Sequence, residues 1–196
     1  IQWLERQLND PYVQESKKQG YRSRAAFKLR ELDDQLKFLK KHSRVVDLGA
    51  APGGWTQVVL ERVDISHKNS QVIAIDILPM DILPGTEVLE LDFTTLEAPE
   101  KLKKHLEGPV NVVLSDMAPA STGHRKTDHL RIIALAEMAL EFALEVLGKE
   151  GVFLTKVWQG GAEEDILKKL KRYFKTVKHI KPPASRKDSA EMYVVA

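Results

Sequence analysis

Apolar residues along this chain fall into two patterns: short continuous runs, and longer stretches where they recur every third or fourth position. The runs are RVVDLGA (44–50), QVIAIDI (71–77), TEVLELDF (86–93), VNVVLSD (110–116), GVFLTKVW (151–158), FKTVKHI (174–180) and EMYVVA (191–196). Their length and β-branched content predict seven strands. Helical spacing predicts helices over 54–63, 99–107, 129–147 and 162–173, with Gly148 in the position of a C-cap glycine. An earlier helix, SRAAFKLRELDDQL (23–36), turns Ala26, Leu29 and Leu32 inward and reads as an addition to the sheet.

Strands that are apolar on both faces and alternate with helices imply a mostly parallel sheet covered on both sides, a doubly wound α/β fold. Only KPPASRKDSA separates the last two strands, so they are expected to close the sheet as an antiparallel hairpin. No repeat or linker divides the 196 residues, which read as one domain over 1–196, with residues 1–40 a helical, basic segment on the substrate side.

Composition narrows the chemistry. With no cysteine there are no disulfides, thiolate zinc sites or cysteine nucleophiles, which fits a reducing compartment. The six histidines show no ligand spacing, and no metal is expected. No apolar run reaches the length of a membrane span, so the reading is a cytoplasmic protein, monomeric and without a membrane partner. Net charge is only +2, but two basic clusters, one over 17–30 and one over 168–187, point to a polyanionic partner.

VVDLGAAPGGW carries a strand into a small-residue loop and a helix, a design that brings backbone N–H groups close to a ligand. Ala51 stands at the second glycine position of a dinucleotide fingerprint and Pro52 follows, which disfavours a nicotinamide oxidoreductase. Asp76 and Asp92 end the second and third strands, where carboxylates meet a ribose and an adenine amino group; together with the loop they imply a nucleoside-containing cofactor. Lys156 is an ammonium in an otherwise apolar strand, best explained by a strand end opening on an active-site rim. Taken singly, Lys28 reads as a solubility charge, Asp116 as a turn cap, and Glu191 as an edge charge that blocks strand pairing.

GYRSRAAFKL, VVDLGAAPGGW, AIDILPMD, LDFT, LSDMAP, FLTKVWQG and SAEMYVV occur in that order, and together they resemble the FtsJ-type ribosomal RNA methyltransferases from about Trp3 to the chain's end. The resemblance implies a Rossmann-like S-adenosylmethionine-dependent fold and a Lys-Asp-Lys-Glu tetrad formed by Lys28, Asp116, Lys156 and Glu191. It implies a cofactor site drawn from Gly49, Ala51, Pro52, Gly53, Gly54, Trp55, Asp76, Ile77, Asp92, Phe93 and Asp116. The implied reaction methylates the ribose 2′-hydroxyl of a uridine in ribosomal RNA or the large ribosomal subunit, with Lys156 as general base. Burial and the Lys28 cation would lower the Lys156 pKa while the two acids raise it. Arg22, Arg24 and Lys28 are expected to contact substrate phosphates. The loops APASTGHRKTD and WQGGAEED would border the ribose; Tyr21 would stack on a base or pack on the sheet, and Trp3 and Trp158 would pack. Related substrates, transfer RNA or mitochondrial ribosomal RNA, and a non-catalytic ribosome-assembly role stay open as alternatives.

Overall fold

The computed structural model describes residues 2–160 and 163–196. Seven strands form one sheet: β1 (Arg44–Leu48), β2 (Gln71–Asp76), β3 (Glu87–Glu90), β4 (Val110–Ser115), β5 (Leu147–Trp158), β6 (Lys178–Ile180) and β7 (Glu191–Val195). Their order is β3-β2-β1-β4-β5-β7-β6. The first five are parallel; β7 runs antiparallel to β5 on one side and β6 on the other.

The expected hairpin is present, but β7 slots between β5 and β6 rather than ending the sheet. Glu191 is therefore paired with Trp158 and is not an edge charge. The outer positions fall to β3 and to the three-residue β6, whose side chains are partly solvent-exposed as edges allow.

Alternation along the inner strands divides the core. Val112 and Leu114 face α3 (Ala25–Leu36) and α4 (Gly54–Arg62), joining Leu29, Leu32, Val58 and Val59. Val113 and Phe153 face the other way, towards α5 (Ala98–Lys103), α6 (Arg125–Val146) and α7 (Glu163–Tyr173). A period of two in the strands against 3.6 in the helices makes this three-layer arrangement the way to bury both sheet faces.

Before α3 come α1 (Gln2–Asn9) and α2 (Pro11–Gln19). Asp10 caps α2 through Tyr12 and Val13 N–H, and Gly20, at φ 77°, ends it in the left-handed region. Trp3 on α1 is 67% exposed, so its expected packing role is not met: no described residue of α1 is buried. Gly148 is a partial departure. Helix α6 passes straight into β5 at Leu147, and Gly148 lies in the strand, where an added Cβ would meet the Pro109 Cβ at 3.0 Å. Gly148 thus follows the C-cap Leu147 as expected, but without the left-handed φ of a capping glycine, and the tight approach of Pro109 favours a small residue there.

Candidate active site

The loops leaving β1, β2, β3 and β4 enclose a cleft of about 450 Å³ at the carboxyl end of the sheet. Strand order reverses between β1 and β4, and that divergence of the following loops opens the space. Gly49, at φ 75°, turns the chain after β1; a Cβ there would meet Met117 at 2.9 Å. The carboxylate of Asp76 is fixed from both sides, accepting from Ala51 N–H and Leu78 N–H at 2.9 Å each. Asp92 accepts from the hydroxyl and the N–H of Thr94, and these bonds hold its pKa below the ordinary carboxylate value.

Of the cofactor residues expected from the sequence, Gly49, Ala51, Asp76, Ile77, Asp92, Phe93 and Asp116 line this cleft. Pro52, Gly53, Gly54 and Trp55 do not appear among its lining residues. Their loop instead closes on the segment before α3: a Cβ on Gly53 would meet Arg22 at 3.0 Å, and one on Gly54 would meet the Ser23 hydroxyl at 2.5 Å. The Trp55 indole donates to Ala25 O and tilts against Tyr193, with ring centres 5.6 Å apart. Small residues and a tryptophan here lock two helices together, a packing need that the motif alone does not distinguish from ligand contact.

Beside the cleft, four charges of alternating sign stand in a row. Lys28 Nζ lies 3.4 Å from Glu191 Oε2, Glu191 Oε1 lies 3.5 Å from Lys156 Nζ, and Lys156 Nζ lies 3.1 Å from Asp116 Oδ1. The pleat explains the convergence. Lys156 on β5 is directly opposite Tyr193 on β7, and Glu191 is two residues along the same face, which is the face α3 covers with Lys28. Asp116 follows β4 and belongs to both the row and the cleft.

Lys156 is 7% exposed. Burial pushes its pKa down, but Asp116 and Glu191 outweigh burial and leave it raised, so the resting side chain is an ammonium. Glu191 shows the reverse balance: burial pushes it up, and Lys156 and Lys28 bring it below its ordinary value. The sequence had two opposing influences on Lys156, and the short distances to the carboxylates decide between them.

Two further residues enter the site. Tyr193, fully buried, donates its hydroxyl to Asp116 Oδ1 at 2.7 Å; burial and the carboxylates of Asp116 and Glu191 push its pKa well up, so the proton stays on the phenol. Alternation from Glu191 was the available signal for it. Asp47 is buried in β1 and accepts from the Thr56 hydroxyl at 2.8 Å, while its Oδ1 has no partner. An acid inside VVDLG was visible in the sequence, but not its burial.

The expected phosphate ligands are distributed unevenly. Arg22 directs its guanidinium to the carbonyls of Pro52, Asp81 and Ile82, so it ties the loops after β1 and β2 together. Arg24 pairs with Asp10 at 3.0 Å and donates to Ala184 O, yet it also lines a polar groove of about 310 Å³ with Arg6, Lys28, Arg186, Asp188, Ser189 and Glu191. Asp10 pairs with both Arg24 and Arg186, so four cations stand against three carboxylates and the groove keeps a weakly positive field beside the lysine row. Tyr21 packs: its ring meets Phe27 edge-on and its hydroxyl donates to Glu61. In APASTGHRKTD, Ala118 to Ala120 line the cleft and Asp128 gathers the Ser121 and Thr122 hydroxyls. Gly161 and Ala162 of WQGGAEED lie outside the described residues.

The FtsJ-like methyltransferase family matches residues 21–196. The chain belongs to that family. Among its relatives, this FtsJ-like chain is 59% identical over 196 residues to ribosomal RNA large subunit methyltransferase E of Paramagnetospirillum magneticum, covering 99% of this chain and 80% of that one. It is 56% identical over 194 residues to the protein of the same name from Gluconobacter oxydans, covering 99% and 70%. A solved structure of a ribosomal RNA methyltransferase from Plasmodium falciparum superposes with a TM-score of 0.78 at 31% identity, covering 89% of this FtsJ-like chain and 96% of that one. The Rossmann-like methyltransferase fold expected from the motifs is the fold observed.

Proposed function

We propose that this chain is an S-adenosylmethionine-dependent methyltransferase acting on the ribose 2′-hydroxyl of a uridine in large-subunit ribosomal RNA, in the cytoplasm. The observation that carries the reading is the meeting of Lys28, Glu191, Lys156 and Asp116 within 3.1–3.5 Å contacts at the mouth of the cleft. The names of its relatives, ribosomal RNA large subunit methyltransferase E, support the substrate class.

The cleft's donor set fits the cofactor. Asp76 and Asp92 offer carboxylate acceptors for ribose hydroxyls and an adenine amino group, and Ile77, Phe93 and Leu135 offer apolar walls. When bound, S-adenosylmethionine supplies an activated methyl group on a sulfonium, whose positive charge also opposes protonation of a neighbouring lysine. The remaining work belongs to the chain. A ribose hydroxyl attacks well only as its proton leaves, so a base must sit within hydrogen-bond reach. Lys156 Nζ fills that role after shedding its own proton. Lys28 helps by drawing on the Glu191 carboxylate, which weakens Glu191's hold on the Lys156 proton.

As Lys156 takes the ribose proton it becomes positive again, and Asp116 and Glu191 stabilise that charge where it develops. The tyrosine hydroxyl and Lys156 both engage Asp116 Oδ1 and together hold the carboxylate in one orientation. The basic groove lined by Arg24 and Lys28 draws the phosphates flanking the target nucleotide to the site.

Replacing Lys156 with alanine is expected to leave S-adenosylmethionine binding within a few-fold of the parent by calorimetry. Methyl transfer to ribosomal RNA should fall by roughly 10²–10⁴-fold, the range for loss of a general base. Undiminished transfer would remove Lys156 from the mechanism. Mapping 2′-O-methylation across ribosomal RNA in cells lacking the protein identifies the nucleotide.

A further inference from the structure

Between Lys168 and Lys187 the chain carries nine lysines and arginines and no acid. The fold divides this run. Arg186 joins the groove beside the lysine row, and Lys181 turns onto the carbonyl of Ser189. Helix α7 buries Ile166 and Leu170, which leaves Lys168, Lys171 and Arg172 on its outer face; Lys175 and Lys178 continue the exposed series into β6. Among the described residues none of these five has a carboxylate within 4.0 Å, while Lys169 alone on this helix reaches one, Glu137 at 3.9 Å. Unneutralised cations at helical spacing make a continuous positive stripe.

The stripe lies away from the catalytic row in two ways. Helix α7 packs on the sheet face opposite the one that carries Lys156, Glu191 and Tyr193. It also descends from the catalytic rim: Glu191 is opposite Trp158, whereas Lys178 is opposite Val195, four residues and roughly 14 Å further down β7 at about 3.4 Å per residue. A few nucleotides of single strand seated in the catalytic groove do not span both surfaces. A folded RNA does.

At the lower end the stripe meets a concavity of about 520 Å³ lined by Lys149, Glu150, Tyr173 and Lys175 together with apolar residues such as Leu144 and Phe174. The Tyr173 ring is 59% exposed beside Lys175. Cations flanking an exposed aromatic ring match the chemistry of a nucleic acid, which brings phosphates together with stackable bases, better than that of an acidic protein or a lipid surface.

We propose that Lys168, Lys171, Arg172 and Lys175, with Tyr173, form a second RNA-docking surface that grips the phosphate backbone of the same folded substrate remote from the methylated nucleotide. The inference rests on the RNA methyltransferase reading above. It makes recognition depend on the size of the substrate: a large folded RNA gains these contacts and a short one does not.

The test compares the parent with a fourfold variant, Lys168→Ala, Lys171→Ala, Arg172→Ala and Lys175→Ala. All four side chains are exposed, and circular dichroism checks the fold. Binding is measured across a salt series to unmethylated large ribosomal subunits, to a short RNA carrying the methylated nucleotide, and to anionic vesicles. Methyl transfer is followed in parallel. For the subunit, the variant is expected to lose tenfold or more in affinity and to flatten the salt slope by about 3, since each phosphate contact contributes roughly 0.7–0.9. Its kcat and its binding of the short RNA are expected to stay within twofold of the parent. An unchanged subunit affinity and salt slope would overturn the proposal, as would an equal loss on the short RNA or a loss confined to vesicles. Because binding is read separately from transfer, absence of methylation in the parent refutes the enzymatic reading while the docking surface is still judged by its own salt series.

Discussion

Replacing Asp47 with asparagine isolates one buried carboxyl group whose effect on stability has a defined pH window. Asp47 is fully buried in β1, and burial, reinforced by the charges of Asp116 and Asp76, raises its pKa from 3.8 to about 7 despite the Thr56 hydrogen bond. The folded protein therefore holds this proton where the unfolded chain has released it. Stability from this group is full below pH 3.8 and is lost as pH rises to 7. Integrating the two titrations between pH 4.5 and 8 gives about 3 kcal/mol for the loss, at 1.36 kcal/mol per unit. Other carboxylates, Asp10 and Glu191 among them, have lowered pKa values and titrate in the opposite sense. They are common to both proteins and cancel in the difference. The assay is urea unfolding of parent and variant across that pH range: the stability of Asp47→Asn relative to the parent should rise by about 3 kcal/mol from pH 4.5 to 8. A difference constant within about 0.5 kcal/mol would show that Asp47 is solvated or otherwise compensated, and the reasoning from its burial would fail.

Two predictions concern the row of lysines and carboxylates. Tyr193→Phe keeps the buried ring but removes the proton donated to Asp116, so single-turnover methyl transfer should slow about tenfold, equivalent to about 1.4 kcal/mol, with S-adenosylmethionine affinity unchanged; parental rates would show that Lys156 alone suffices to orient Asp116. Because Asp116 and Glu191 raise the Lys156 pKa, kcat/KM for RNA at saturating S-adenosylmethionine should climb with pH from 7 to 9 at a slope near one in log units as the free amine fraction grows; a flat profile would exclude Lys156 as the group that must lose a proton.

The hydrophobic pattern alone was enough for the seven strands and the three layers, because burial on both faces and a change of period from 2 to 3.6 are properties of local sequence. Chemistry-bearing residues were also legible where a charge interrupts an apolar run, as at Lys156 and Asp76. The family motifs then drew Lys28, Asp116 and Glu191 into one set. What the sequence did not contain was who neighbours whom. Only the insertion of β7 between β5 and β6 sets Tyr193 opposite Lys156 and takes Glu191 off the edge. Only the packing of the segment before α3 onto the β1 loop shows that Gly53, Gly54 and Trp55 also make the contacts that join this loop to α3. The raised pKa of Lys156 follows from distances of 3.1 and 3.5 Å to residues 40 and 35 positions away, and electrostatic balance at that range is decided in space, not along the chain.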